Sequence, residues 1–200
     1  MENKLETDNT TVASPKEENQ VYTSEYLRKN TKLSGMQIFF LVVMGIGAVI
    51  NLMDAFNTLE AYDSSGFHLP YRELWIIFYF VSFLASAYII WCFIRREPNA
   101  VHLSMCYLAG SLISVIILMV LIYLNAEHTY RGSGAVALQN SGIQFSTFFF
   151  SMFWMIYLST AEKTNETFPK PFRKANPIDY VVLALLIGIP VYYFSQCYIP

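Results

Sequence analysis

Asn51 and Asp54 are the two side chains whose type and spacing most suggest chemistry. They stand three residues apart within an otherwise apolar run, so on a helix they share a face. An ionised carboxylate at the centre of a bilayer costs about 2.5–3.5 kcal/mol on insertion scales, and an isolated one usually marks a functional pathway. Counted from Met36, however, Asp54 falls at the far end of its run. There it can reach interfacial water or pair with Arg72 across the following loop. Asn51 is one turn deeper, where an amide can bond to a neighbouring helix. The leading reading of the pair is structural or interfacial, and the alternative is an ion or substrate pathway.

The other reactive residue types form no constellation. His68 and His128 sit in polar loops near Asp63 and Glu127, with neither a His-x3-His pair nor Cys-His clustering around them. His102 begins an apolar run and reads as interfacial. Cys92, Cys106 and Cys197 share no spacing motif, so neither a disulfide nor a metal site is expected. No nucleophile elbow, phosphate loop, glycine-rich dinucleotide turn or His-Glu-x-x-His motif occurs. No cofactor is expected, and the expectation is a non-enzyme.

The elements that must position these residues are five runs of about 20 apolar residues: 36–56, 74–94, 103–124, 143–161 and 178–199. At about 1.5 Å per residue, each is long enough to cross a hydrocarbon core of roughly 30 Å. A chain that is 54% hydrophobic and 16% aromatic leaves little polar surface for a soluble fold. The expected fold is therefore all-α, an integral membrane bundle of five transmembrane helices behind a disordered N-terminal tail, residues 1–34. That tail is polar, mixes both signs of charge and has few large apolar residues. Within it, 22–32 could form an interfacial turn of helix, but a flexible lead-in is preferred. No signal peptide is expected, because no short apolar core stands near the start; the first run would act as an uncleaved anchor.

Charge gives the orientation. Lys4, Lys16, Arg28, Lys29 and Lys32 precede the first run. Arg95 and Arg96 follow the second, and Lys163, Lys170, Arg173 and Lys174 follow the fourth. Only Arg72 and Arg131 fall on the other side. Cytoplasmic loops retain Lys and Arg, so the N-terminus is expected in the cytoplasm and the C-terminus outside, in a cell (inner) membrane. A net charge of −2 gives no basic character that would point to nucleic acid. The lipid bilayer is the expected partner, with a homo-oligomer or a second membrane protein as further possibilities.

Local signals agree with the spans. Pro70, Pro98 and Pro177 precede helix starts, where a missing donor is harmless. Pro190 lies inside the fifth run and should bend it, leaving a carbonyl for a neighbour to satisfy. Tyr71, Trp75, Trp91, Trp154, Tyr157 and Tyr192 stand near run ends, where amphipathic rings settle at the headgroup boundary. Small residues four apart (Ser82/Ser86, Gly110/Ser114, Thr147/Ser151, Ala184/Gly188) favour close helix approach. The Asn-x-Thr triplets at Asn9 and Asn165 fall on the cytoplasmic side, so glycosylation is not expected.

The end of the fourth run carries Tyr157, Ala161, Lys163, Thr164 and Thr167-Phe168. This spacing resembles the bacterial membrane family known as domain of unknown function 2569. Its members carry a Tyr, a small residue (usually Ser), an Arg-Val pair and a Thr-Phe after a late transmembrane helix. The lead-in Leu33-Ser34-Gly35 is similar to that family's opening. The chain departs from the pattern at Ala161, Lys163 and Thr164, and at Met36 where a Trp is typical. The resemblance covers about residues 33–168 and implies a multi-span membrane protein without naming a reaction.

Read directly, Lys163 can meet lipid phosphates and the helix C-terminal carbonyls. Phe168 and Phe172, in Phe-Pro-Lys-Pro-Phe, should anchor the basic segment 162–177 on the membrane surface, with partner docking or a solvated loop as the alternatives. The leading function class is a non-enzymatic accessory or structural membrane protein. A small transporter or channel component using Asn51, Asp54 and the Pro190 bend is the alternative, and an unrecognised membrane-embedded enzyme is the third.

Overall fold

The computed structural model describes residues 23–65, 72–129 and 142–198, and their side chains over 23–59, 73–120 and 146–196. Every regular element among these residues is helical: α1 Ser24–Asn30, α2 Gly35–Ser65, α3 Arg72–Arg95, α4 Ala100–Thr129, α5 Gly142–Thr160, α6 Glu162–Thr167 and α7 Pro177–Tyr198. A 3₁₀ turn at Lys170–Phe172 lies between the last two.

Four segments are long and apolar enough to cross a membrane: Gly35–Leu59, Glu73–Arg95, Ala100–Val120 and Pro177–Gln196. They match the first, second, third and fifth runs. The fourth run coincides with α5, a helix of 19 residues. Helices α2 and α4 continue past their runs to Ser65 and Thr129, into segments expected to be loops. No Gly or Pro intervenes in either extension to stop them.

Membrane embedding explains which faces lie bare. Along α2, Ile46, Val49 and Met53 are each more than half exposed, at 57%, 56% and 57%. Ile38, Val42, Ile50 and Phe56 extend the same exposure along the helix. An apolar surface of this extent is not left in water by a monomeric soluble protein. Facing lipid, it costs nothing.

Inside, α2 packs on α3, α4 packs on α5 and α7, and α3 also meets α7. The close approach of α4 and α7 requires a glycine. A Cβ on Gly110 would stand 3.0 Å from both Cβ and Cδ1 of Leu186. The bend residue is served at the same contact. Pro190 has no N–H for the carbonyl of Leu186, and the Ser114 hydroxyl of α4 donates to that carbonyl instead. The expectation that a neighbour takes the freed carbonyl holds here. Gly110/Ser114 is thus a packing face, whereas Gly188 has nothing within 4 Å of its Cβ position.

The starts of α2, α4 and α7 and the ends of α3 and α5 gather at one end of the bundle. With them are α1, the α3–α4 turn and the α5–α7 segment. Arg28, Lys29, Lys32, Arg95, Arg96, Lys163, Lys170, Arg173 and Lys174 all belong to this basic end.

An aromatic core fills it. Phe40 lies 4.8 Å from Trp154 and 5.7 Å from Phe93, ring centre to ring centre, and Phe93 lies 5.1 Å from Phe168. Three expectations change here. Trp154 is 1% exposed and belongs to this core, not to a headgroup belt. Phe168 and Phe172, expected as lipid anchors, are buried in the protein because the α5–α7 segment folds back over the end of α3. Part of the segment expected as a tail, residues 1–34, is helical. Residues 1–22 lie outside the described residues, but from Thr23 the chain is structured. The Thr23 hydroxyl caps α1 by accepting from Tyr26 N at 3.2 Å, and Leu27, 1% exposed, plugs into the core. Leu27 docks a segment whose composition otherwise marks it as flexible.

Candidate functional site at the basic end

Two capping boxes organise this end. Ser34 and Gln37 form the first, at the start of α2: Gln37 N donates to Ser34 Oγ at 3.2 Å, and Ser34 N donates to Gln37 Oε1 at 2.9 Å. Gln37 Oε1 also accepts from Thr167 Oγ1 at 3.2 Å, and Ser34 Oγ lies 3.1 Å from Tyr157 Oη. The residues that carry the family resemblance, Tyr157 and Thr167, therefore converge on the lead-in to α2. Phe168 beside them packs on Phe93, with the Arg96 guanidinium 5.9 Å over its ring.

Ala161 is the N-cap of α6 and supplies no side-chain bond. Lys163 points outward, 2.8 Å from Glu166, which raises its pKa by hydrogen bond and by charge.

The second box opens α7. Ile178 N donates to Asn176 Oδ1 at 3.1 Å, and Asn176 N donates to Asp179 Oδ2 at 2.8 Å. Asp179 is fully buried, and two residues at the start of α4 complete its shell: Asn99 Nδ2, just before the helix, donates to Oδ1 at 3.0 Å, and His102 Nδ1 lies 3.0 Å from Oδ2. Cys106 Sγ stands 3.7 Å from the same ring nitrogen. A thiol, an imidazole and a carboxylate in a row invite comparison with a nucleophilic triad. The atoms do not support one, because a relay needs opposite ring nitrogens for acid and nucleophile, and here both meet Nδ1. The cluster joins α4 to α7.

Arg96 closes α3. It adopts φ 58° at the left-handed position of a Schellman turn, with Glu97 N donating to Cys92 O at 2.9 Å and Arg96 N to Phe93 O at 3.3 Å. This position favours glycine. Here the side chain folds back so that Nη1 donates to Phe93 O at 2.6 Å and Nη2 reaches Thr31 O at 3.5 Å, tying α1 to α3. Burial pulls its pKa down from the ordinary arginine value. Burial does the same to Arg173, whose Nε donates to Phe168 O at 2.9 Å and whose Nη2 donates to Asn165 Oδ1 at 2.6 Å.

A groove of about 280 Å³ opens between the α3–α4 turn and the start of α7, lined by Tyr88, Trp91, Glu97, Asn99, Lys174 and Asn176 among others. Lys174 N donates to Pro98 O at 3.0 Å and so fastens its two walls together.

The polar pair within the span is separate from this end. Asn51 and Ser111 lie beside the Tyr107 hydroxyl, which accepts from Ser86 Oγ at 3.1 Å, so α2, α3 and α4 meet through small polar groups. Asp54 is half-buried near Tyr79 of α3. The side chain of Arg72, its expected partner, lies outside the described residues, as do those of His68, His128 and Cys197. Among the described residues no group of three His, Cys, Asp or Glu could hold a metal ion.

Sequence reasoning missed the two capping boxes, although Ser-x-x-Gln and Asn-x-x-Asp directly before apolar runs are their written form. The pairing of His102 and Asn99 with Asp179 had no local signal. No family model matches the chain, and no curated protein or solved structure matches it.

Proposed function

We propose that this chain is a five-span membrane protein with its basic end in the cytoplasm, acting as a non-enzymatic accessory or structural component of its membrane. The observation that carries this reading is how the polar groups of the bundle are used. Asp179, His102 and Asn99 join α4 to α7. Ser114 serves the carbonyl freed by Pro190, and Ser86 and Tyr107, with Asn51 beside them, link α2, α3 and α4. Each of these groups has a role in joining helices, and that supports the structural reading. The span beyond the four long apolar segments is α5, the fourth run, and the lopsided distribution of Lys and Arg supports the orientation. Its partners are the bilayer and, through the exposed faces, another copy of the chain or a second membrane protein. The resemblance to the domain of unknown function 2569 family belongs to the same reading, since its residues bind the α5–α6 turn to the start of α2.

Asp54 favours the second reading, a small transporter or channel component, because its carboxylate is half-buried at the α2–α3 contact. Asp54→Asn in native membranes separates the two. An accessory protein keeps its insertion and its crosslinked partners after the change. A transporter stays inserted and loses flux.

A further inference from the structure

We infer that the groove at the basic end is a binding site for a phospholipid headgroup carrying both a phosphate and a primary ammonium, in the leaflet that faces this end. The inference rests on the membrane reading above and deepens it. Glu97 and Lys174 line the same groove, yet among the described residues no ion pair joins either of them to a partner within 4 Å. Neither side chain makes a hydrogen bond to the fold. An acid and a base held on one cavity without meeting leave room between them for a ligand with the opposite charges in the opposite order.

The positive charge of the groove comes from side chains, because the buried Asp179 carboxylate at the starts of α4 and α7 already takes Asn99 Nδ2 and Asn176 N. Arg95 stands at the rim with its guanidinium 5.7 Å over the ring of Trp91. Phosphate therefore belongs beside Lys174 and Arg95, and ammonium beside Glu97. Trp91 is already covered by Arg95, and it stacks on Tyr88 at 5.8 Å and 16°. Those two rings form a wall along the headgroup and do not trap the cation. At about 280 Å³, the groove is slightly smaller than typical drug-sized pockets, which begin at roughly 300 Å³. It suits a headgroup whose acyl chains remain outside. Trp91, 46% exposed on the last turn of α3, marks the side where those chains leave.

The test uses the full chain in nanodiscs containing equal amounts of phosphatidylethanolamine and phosphatidylglycerol, with lipids retained after release read by native mass spectrometry. Wild type is expected to retain the ammonium-bearing lipid in preference. Glu97→Gln should erase that preference, and Lys174→Gln should reduce retention of both lipids about fivefold, the worth of one basic contact near a membrane surface. Identical retention by wild type and both variants would overturn the proposal. A preference for phosphatidylglycerol that Glu97→Gln leaves unchanged would overturn it as well. Soluble glycerophosphoethanolamine should fail to displace the lipid; displacement at millimolar concentration would assign the groove to a free solute instead. Both leaflets of a nanodisc have the same composition, so retention does not depend on orientation. A failure here would condemn the groove, whereas misplaced loops in a topology assay would condemn the membrane reading.

Discussion

Ser114→Ala should destabilise the bundle, and Pro190→Ala should remove most of that cost. Leu186 is fully buried, and its carbonyl has lost its helical donor because residue 190 is proline. The Ser114 hydroxyl has one proton and two carbonyls within reach, Leu186 O and Gly110 O, the second at 2.8 Å. Gly110 O lies in unbroken helix, so the proton matters most at Leu186. Leaving a buried acceptor unmet costs about 1–3 kcal/mol in proteins generally. Interhelical bonds in lipid average about 0.6 and reach about 1.7 kcal/mol. The two ranges overlap at about 1–1.5 kcal/mol, the loss expected for Ser114→Ala. In a Pro190→Ala background the new N–H restores the bond within α7, and the same serine substitution should cost close to nothing. Equilibrium unfolding of the four proteins in mixed micelles, or by steric trapping in bicelles, gives the coupling energy directly, about 1 kcal/mol. Equal costs in both backgrounds, within the roughly 0.3–0.5 kcal/mol expected of independent sites, would refute the assignment of Ser114 to the freed carbonyl.

The same unfolding assay checks four further substitutions. Gly110→Ala places a methyl group 3.0 Å from Leu186 Cβ, which is fixed to backbone, so α4 and α7 must separate at a cost of about 1–3 kcal/mol. Asp179→Asn presents an amide to the donors Asn99 Nδ2 and Asn176 N and should cost about 2–4 kcal/mol; a change below 1 kcal/mol would mean that the cluster does not join the helices. Phe168→Ala should cost about 3–5 kcal/mol, as expected for a core phenylalanine, while a lipid anchor in the same place would show its effect in membrane affinity instead. Ala161→Ser supplies α6 with the side-chain cap it lacks and should add about 0.5–1 kcal/mol; no gain would mean that α6 is already held by its neighbours.

The apolar runs announced the helices because a lipid-facing helix must be apolar all round, and that pattern needs no knowledge of the partners. Pro190 was legible in the same way, since a proline inside a span always frees a carbonyl, but which hydroxyl would take it depended on how α4 lies against α7. Phe168 and Phe172 were misread for a related reason. An aromatic ring flanked by prolines and lysines looks alike in sequence whether it faces headgroups or a neighbouring helix, and only the fold-back of the α5–α7 segment onto Phe93 decides between them. Asp179 escaped notice because it stands in the first turn of a helix, where an acid is ordinary. Its burial comes from Asn99 and His102, about 80 residues away in the chain. The groove was invisible for the same reason, being assembled from two inter-helix turns that meet only in three dimensions.

The central claim is the five-span bundle with its basic end in the cytoplasm, and the parity of the spans is its most direct test. Paired reporters, one active only in the cytoplasm and one only outside it, are fused after Pro98, after Lys174 and after Pro200. Fusions at Pro98 and Lys174 should report the cytoplasm, and the fusion at Pro200 should report the outside. A fusion at Lys174 that reports the outside with one at Pro200 that reports the cytoplasm would mean four crossings, with α5 not spanning, and would contradict the account.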